Sequence, residues 1–277
     1  MKKVLVPTDF SINSKSGVRF AIHWATQQGI ELVFLHVFNI FRSIEWTDLY
    51  FEEYAEHQKC LCKSKLGNFI DRIYKSMNAT PGKHSFAVVE GISADISIMD
   101  YCRNIKRIDF ICISTHGAGK FKRILGTNTG NLITKSEVPV LAVPQNYRIT
   151  NIKKILYAAD LQNYTKELKK VVDFALPFKA AIEVVHFVWP AEPLLDRETI
   201  QAAFEKSYQY NIHVHFEEKK TDQSLVQRLS DQIKLKRPSV VIMFTNQERT
   251  FFQKLFFSSK SEELSFHLKV PLLVFKK

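Results

Sequence analysis

Short apolar runs alternate along the chain with longer stretches whose apolar positions recur every three to four residues. A short run of Val, Ile, Leu and Phe without polar alternation predicts a strand buried on both faces. The mixed stretches predict the helices that cover it. In the first half, strands are expected near residues 3–8, 31–37, 84–90, 109–114 and 139–143. In the second they are expected near 154–159, 182–188, 211–216, 239–244 and 271–275. Helices are expected after the Ser11 to Ser16 segment, over about Leu49 to Met77, from near Ser93 and after Thr127. Strand and helix in regular alternation predict an α/β fold, a parallel sheet with helices on its faces.

The pattern occurs twice. KKVLVPTDF (Lys2 to Phe10) aligns with KKILYAADL (Lys153 to Leu161), Asp9 on Asp160, an offset of 160 − 9 = 151. IELVFLHVF (Ile30 to Phe38) aligns with IEVVHFVW (Ile182 to Trp189) across a one-residue gap, which sets His36 on His186. RIDFICIST (Arg107 to Thr115) matches RPSVVIMFT (Arg237 to Thr245), and VPVLAV (Val138 to Val143) matches VPLLVF (Val270 to Phe275). Four blocks in one order predict a tandem duplication, with domains over 1–146 and 151–277. The polar stretch PQNYRITN, Pro144 to Asn151, is the expected boundary.

Composition narrows the class. With 45% hydrophobic and 24% charged residues the chain has the material for packed cores, and disorder is not expected. It has no apolar run long enough to span a membrane, and MKKVLVPTDF is expected to enter a strand at once rather than serve as a leader, so a cytoplasmic location is expected. Cys60, Cys62, Cys102 and Cys112 show no framework spacing and are expected as free thiols. The net charge of +11 is spread evenly: 18 basic against 13 acidic residues over 1–146, and 21 against 15 over 147–277. No basic arm or aromatic-interleaved stripe concentrates it, so specific nucleic-acid binding is not expected.

Candidate chemistry gathers in STHGAGKFKRILGTNTG, Ser114 to Gly130, which holds four of the nine glycines. Glycines cluster where backbone must adopt positive φ or approach a ligand closely. The stretch follows a predicted strand and opens a predicted helix at Thr127. The amides of Thr127, Asn128 and Thr129 would then be unpaired donors at the positive end of a helix, an anion site suited to phosphates. GxxxxGK[ST] is absent, and GxGxxG fails because no glycine follows at position 122.

Together with PTDFS (Pro7 to Ser11) after the first strand and LHV in the second, the stretch resembles the universal stress protein family, of its ATP-binding subgroup. That family's motif is Gly, two residues, Gly, nine residues, Gly, then Ser or Thr. Ser114 stands at the first glycine, Gly117 at the second, and Gly126 and Thr127 at the closing pair, with eight intervening residues instead of nine. The resemblance implies two doubly wound five-stranded parallel-sheet domains of the adenine nucleotide alpha hydrolase-like, Rossmann-like kind. It implies that Asp9 contacts a ribose, that Pro7 and Thr8 shape the adjoining wall, and that the Val37 backbone touches adenine. Gly117, Gly126, Thr127, Asn128 and Thr129 would hold phosphates beside His116 and Ser114. ATP or a related adenine nucleotide, with or without magnesium, is the implied ligand, and a nucleotide-dependent stress-response regulator the implied function. The family pairs domains through their last strands, which implies an intramolecular pseudo-dimer and a homodimer as a further step.

The second copy departs from this pattern. Asp160 is kept, yet Pro7-Thr8 becomes Ala158-Ala159, Val37 becomes Phe187, and Asn246 to Glu263 contains no glycine. Its pocket is expected to be filled or repurposed. Several readings stay open at this stage. Asp9 serves as ligand or as a cap of its own loop. His36 and His186 read more readily as core histidines bonded to a neighbouring loop than as catalysts. His213 and His215 share a strand face but lack a third ligand, so no metal is expected. A slow ATPase or phosphoryl- or adenylyl-transferring enzyme is the alternative in another class, weakened by the lack of Asp or Glu from Ser114 to Gly130. A nucleotide-independent interaction scaffold is the third.

Overall fold

The computed structural model describes residues 1–105, 107–115, 127–159, 161, 164–188, 197–218, 223, 225–245 and 269–276. Among these, one compact unit runs through Ile149 and a second begins at Thr150.

The first unit alternates β1 (Lys3–Pro7), α1 (Lys15–Gln28), β2 (Glu31–Phe38), α2 (Asp48–Ser76), β3 (His84–Glu90), α3 (Ala94–Asn104), β4 (Phe110–Ser114), α4 (Thr127–Lys135) and β5 (Val140–Val143). Its strands run parallel in the order β3-β2-β1-β4-β5. Apolar runs form the strands because both faces are covered. Val4, Leu5 and Val6 are fully buried, each worth about 1.5–3 kcal/mol relative to exposure. α1 buries Val18, Phe20, Ala21, Ile22 and Trp24, and ends at Gly29, whose φ of 57° is a left-handed cap.

The second unit repeats the order with β6 (Lys154–Ala159), α5 (Tyr164–Ala175), β7 (Ala181–Phe187), α6 (Arg197–Tyr208), β8 (Ile212–Glu217), α7 (Leu225–Lys236), β9 (Val240–Thr245) and β10 (Leu272–Lys276). Its parallel strands follow β8-β7-β6-β9-β10, the same winding. The likeness reaches single residues. Phe10 (φ 64°) and Leu161 (φ 59°), aligned by the 151-residue offset, both adopt the left-handed conformation after the first strand although neither is glycine. His36 Nδ1 bonds Thr8 O at 2.9 Å, and His186 Nδ1 bonds Ala159 O at 3.0 Å. All four cysteines are free.

Candidate functional site

β1 and β4 are neighbours, but β2 and β3 continue on one side of them and β5 on the other. At such a reversal the loops leaving the two strands diverge and open a crevice at the carboxyl edge. Registered pairing ends at Leu5 with Ile111. Asp109 N–H donates to Lys3 O at 2.8 Å, so Lys3, Leu5 and Pro7 turn their backbone groups toward β4. Pro7, which has no N–H, stands past the last pair and takes nothing from the ladder.

The crevice is a cleft of about 620 Å³, part of it open to solvent. Pro7, Thr8, Asp9, Val37, Ser114, Asn128 and Thr129 line it together, brought from four separate segments of chain. Thr127 opens α4 beside them. His116, Gly117 and Gly126 lie outside the described residues, as do Lys120, Lys122 and Arg123. Leu35, Ile98 and Ile113 add apolar wall that residue chemistry alone does not single out, and Ser11, Asn13 and Ser14 add polar rim. Their signal in the sequence is indirect: Leu35 and Ile113 lie in strands, Ser11, Asn13 and Ser14 in the loop after β1, and Ile98 within α3.

The β1–α1 loop is a chain of short hydrogen bonds. Ser11 N–H donates to Asp9 Oδ1 at 3.0 Å, a turn in which the aspartate bonds the backbone two residues on. Phe10 N–H donates to Thr8 Oγ1 at 3.2 Å, and the Thr8 and Ser14 hydroxyls share a bond of 2.8 Å. Burial pushes the exposed-edge carboxyl of Asp9 up, but hydrogen bonds from Ser11 and Ser14 outweigh it and hold the group below the ordinary aspartate value. An ionised carboxylate therefore borders the cleft at neutral pH. Both readings of Asp9 are compatible here: the side chain shapes its own loop and lines the cleft.

Strand parity decides what β2 offers. Thr8 N–H donates to Leu35 O at 2.9 Å, so Leu35 faces β1, and Val37, two residues on, directs its N–H and C=O the same way. β1 has ended there: its register with β2 stops at Pro7 and Leu35. The Val37 backbone thus points into the cleft. Next to it, His36 presents Nδ1 to a carbonyl, which only accepts, so the proton sits on Nδ1. Phe10 covers the imidazole with ring centroids 4.1 Å apart.

Ser114 ties two elements together. Its hydroxyl accepts from Gly17 N–H at 2.7 Å and from Ser16 Oγ at 3.0 Å, and donates to Ser14 O at 3.0 Å. One donor and two acceptor sites are then used in full. The group clamps the start of α1 to the end of β4. Thr129, buried, donates from Oγ1 to Ser114 O at 3.2 Å and so holds the start of α4 to the same point. The first N–H groups of α4 have no partner within the helix, and this end lies at the cleft. A second tie comes from Asp95 of α3. Asn131 Nδ2 donates to its Oδ2 at 2.7 Å and Ser93 Oγ donates to its Oδ1. Burial raises the Asp95 carboxyl, and these bonds bring it below its ordinary value.

At the matching place in the second unit, Phe187 stands where Val37 stands. The Arg228 guanidinium of α7 lies 5.0 Å from its ring centroid and donates to Glu217 O. Both side chains are buried. Asp160, Ser258 and the Phe251 to Phe257 cluster lie outside the described residues. His215 is engaged by Glu183 Oε2 at 2.5 Å and by Lys236 Nζ at 3.0 Å, and Lys236 also lies 3.4 Å from Glu183 Oε2.

An apolar slot, an ionised carboxylate on its rim and a helix N-terminus at its end mark the first unit as a domain of the doubly wound class with an open cleft at its reversal point. The model of the universal stress protein family matches residues 1–144, and the chain belongs to that family. It is 28% identical over 155 residues to a universal stress protein of Methanocaldococcus jannaschii, covering 51% of this chain and 94% of that protein. Both halves are matched in the crystal structure of a universal stress protein from Archaeoglobus fulgidus, with a TM-score of 0.70, 18% identity, and 99% and 98% of the two chains covered. A functionally unknown protein from Pseudomonas aeruginosa matches with a TM-score of 0.56 and 15% identity over 100% of this chain and 92% of its own. At such identities these structures speak for the fold alone.

Proposed function

We propose that the first domain binds an adenine nucleotide, ATP foremost, and that the protein acts in the cytoplasm as a nucleotide-dependent regulator in stress adaptation. The observation that carries the reading is the convergence of Asp9, Val37, Asn128 and the start of α4 on one cleft at the sheet's reversal point. Each part suits a part of the ligand. Leu35, Ile98 and Ile113 form a slot for a flat base, the outward-facing backbone of Val37 offers a donor and an acceptor to its edge, and the Asp9 carboxylate suits ribose hydroxyls. The N–H groups of α4 suit phosphate oxygens.

Thermal unfolding with ATP, ADP, AMP and a guanine nucleotide tests the reading. A ligand at a hundred times its Kd adds about 2.7 kcal/mol, which raises the melting temperature by about 5–10 °C in a chain of this size. Val37→Phe, which copies the second domain, removes the shift for every adenine nucleotide and leaves the unliganded melt within about 1 °C. No shift in the unaltered protein at millimolar ATP contradicts the proposal. Phosphate released alongside binding would favour the enzymatic alternative.

A further inference from the structure

α2 is a helix of 29 residues, yet the residues it buries begin at Leu66. The first 18, residues 48–65, and the loop ahead of them leave large apolar side chains in water. Phe41, Ile44, Leu49 and Tyr50 are 87%, 104%, 68% and 50% exposed. Exposed apolar residues are ordinary when scattered, but these lie within ten positions of one another. Three rings cluster among them: Trp46 lies 5.2 Å from Tyr50 and 4.9 Å from Tyr54, and Tyr50 stacks on Tyr54 at 6.3 Å.

Helix capping accounts for part of this. Thr47 Oγ1 accepts from Tyr50 N–H at 3.2 Å, and Trp46 packs on Phe51 at 6.4 Å as a hydrophobic staple. The staple has no use for Phe41, Ile44, Leu49 or the Tyr50 ring. The charge around them is also unlike that of the rest of the chain. Around the exposed rings, over residues 41–56, Glu45, Asp48, Glu52, Glu53 and Glu56 stand against Arg42, a net charge of 1 − 5 = −4 on a chain of net +11; Lys59, Lys63 and Lys65 follow further along the helix, and Lys59 pairs with Glu56 at 3.2 Å, so the acidic face is the start of α2. An acidic rim repels anionic membranes and nucleic acid, and it opposes pairing of this face with its own copy. It attracts cations. Arg42 already shows how one is held, its guanidinium 5.3 Å from the Phe51 ring centroid and 2.6 Å from Asp48 Oδ1.

We propose that the projecting part of α2 and the loop before it dock a cationic amphipathic segment of a partner protein. Leucine-type side chains of that segment cover Leu49, Tyr50 and Trp46, and its lysines or arginines lie among Glu45, Glu52 and Glu53. This is an interface separate from the nucleotide cleft and holds whether or not that cleft binds a nucleotide.

The test is fluorescence anisotropy of a labelled amphipathic helical peptide of leucine and lysine, titrated with the full chain, beside a leucine and glutamate counterpart. Saturable binding of the lysine peptide is expected, weakened by salt and reduced roughly tenfold or more by Glu52→Lys with Glu53→Lys and by Leu49→Ser with Tyr50→Ser. All four positions are exposed or peripheral to the core, so the first pair keeps the test valid if the second unsettles the helix. Equal affinity in the charge-reversed protein, equal binding of the glutamate peptide, or no saturation overturns the proposal. So does a self-association by sedimentation that these same substitutions abolish, which would name a second copy of the chain as the occupant. Binding to phosphatidylserine vesicles lost in the Leu49 and Tyr50 variant would likewise overturn it in favour of a membrane.

Discussion

Gly17 and Gly67 both lie inside helices, where replacing glycine by alanine ordinarily gains about 1 kcal/mol. What a methyl group would meet separates them. At Gly67 nothing stands within 4 Å, so Gly67→Ala is expected to stabilise by about that amount. At Gly17 the added carbon would sit 2.8 Å from Ser114 N and 2.9 Å from Ser114 Oγ, so Gly17→Ala is expected to cost about 1–3 kcal/mol. Urea unfolding of both variants checks the pair. A stabilised Gly17→Ala would mean that α1 and β4 are not in the close approach described. His36 gives a residue-scale prediction in pH. Burial lowers its pKa, against the opposing hydrogen bond to Thr8 and the charge of Asp9. The unfolded chain therefore takes up this proton first, at about pH 6.5. The contribution to stability is whole above that value and is lost as pH falls from there toward the lower folded value. The melting temperature of the unaltered protein should drop more steeply on acidification through this window than that of His36→Asn. Parallel curves would show that the imidazole is not held neutral by the fold.

Among the elements, the strands were the most legible. The inner strands are largely buried apolar runs, whereas β3 (HSFAVVE) and β8 (IHVHFE) carry polar residues and are only partly buried, and the readings 31–37 and 154–159 differ from the observed strands by no more than a residue at either end. α2 was legible as a helix, but its length hid that no residue among its first 18 is fully buried, since apolar spacing does not tell a core face from an exposed one. The cleft was legible where chemistry is concentrated, in PTD and in the hydroxyls and amides at the start of α4. Its supports were not. Ser114 is separated from Gly17 by 97 positions, and Asp95 from Asn131 by 36, so neither bond leaves a local trace. Phe10 adopts a left-handed conformation without the glycine that usually announces one. The Asp95 tie yields a prediction for the element it holds. Asn131→Ala leaves a buried carboxylate oxygen short of a partner, which should cost about 1–3 kcal/mol and raise the titration of Asp95. Amide exchange in α4 should quicken relative to that in β4. Unchanged protection across α4 would assign the anchoring of this helix to Thr129 alone.

For the molecule as a whole, the duplication is its own control. Both units keep the winding order, the left-handed residue after the first strand and the histidine bonded back to that loop. These features belong to the fold. The open cleft is seen in the first unit, while Phe187 and Arg228 stand at the corresponding place in the second. On the proposed reading, one nucleotide per chain, rather than two, is expected. Calorimetric titration of the intact protein with ATP, repeated with Val37→Phe and with Asp9→Asn, tests this most directly. A single site per chain is expected, abolished by Val37→Phe and weakened by Asp9→Asn. Two sites per chain, no heat at millimolar ATP, or binding untouched by Val37→Phe would contradict it.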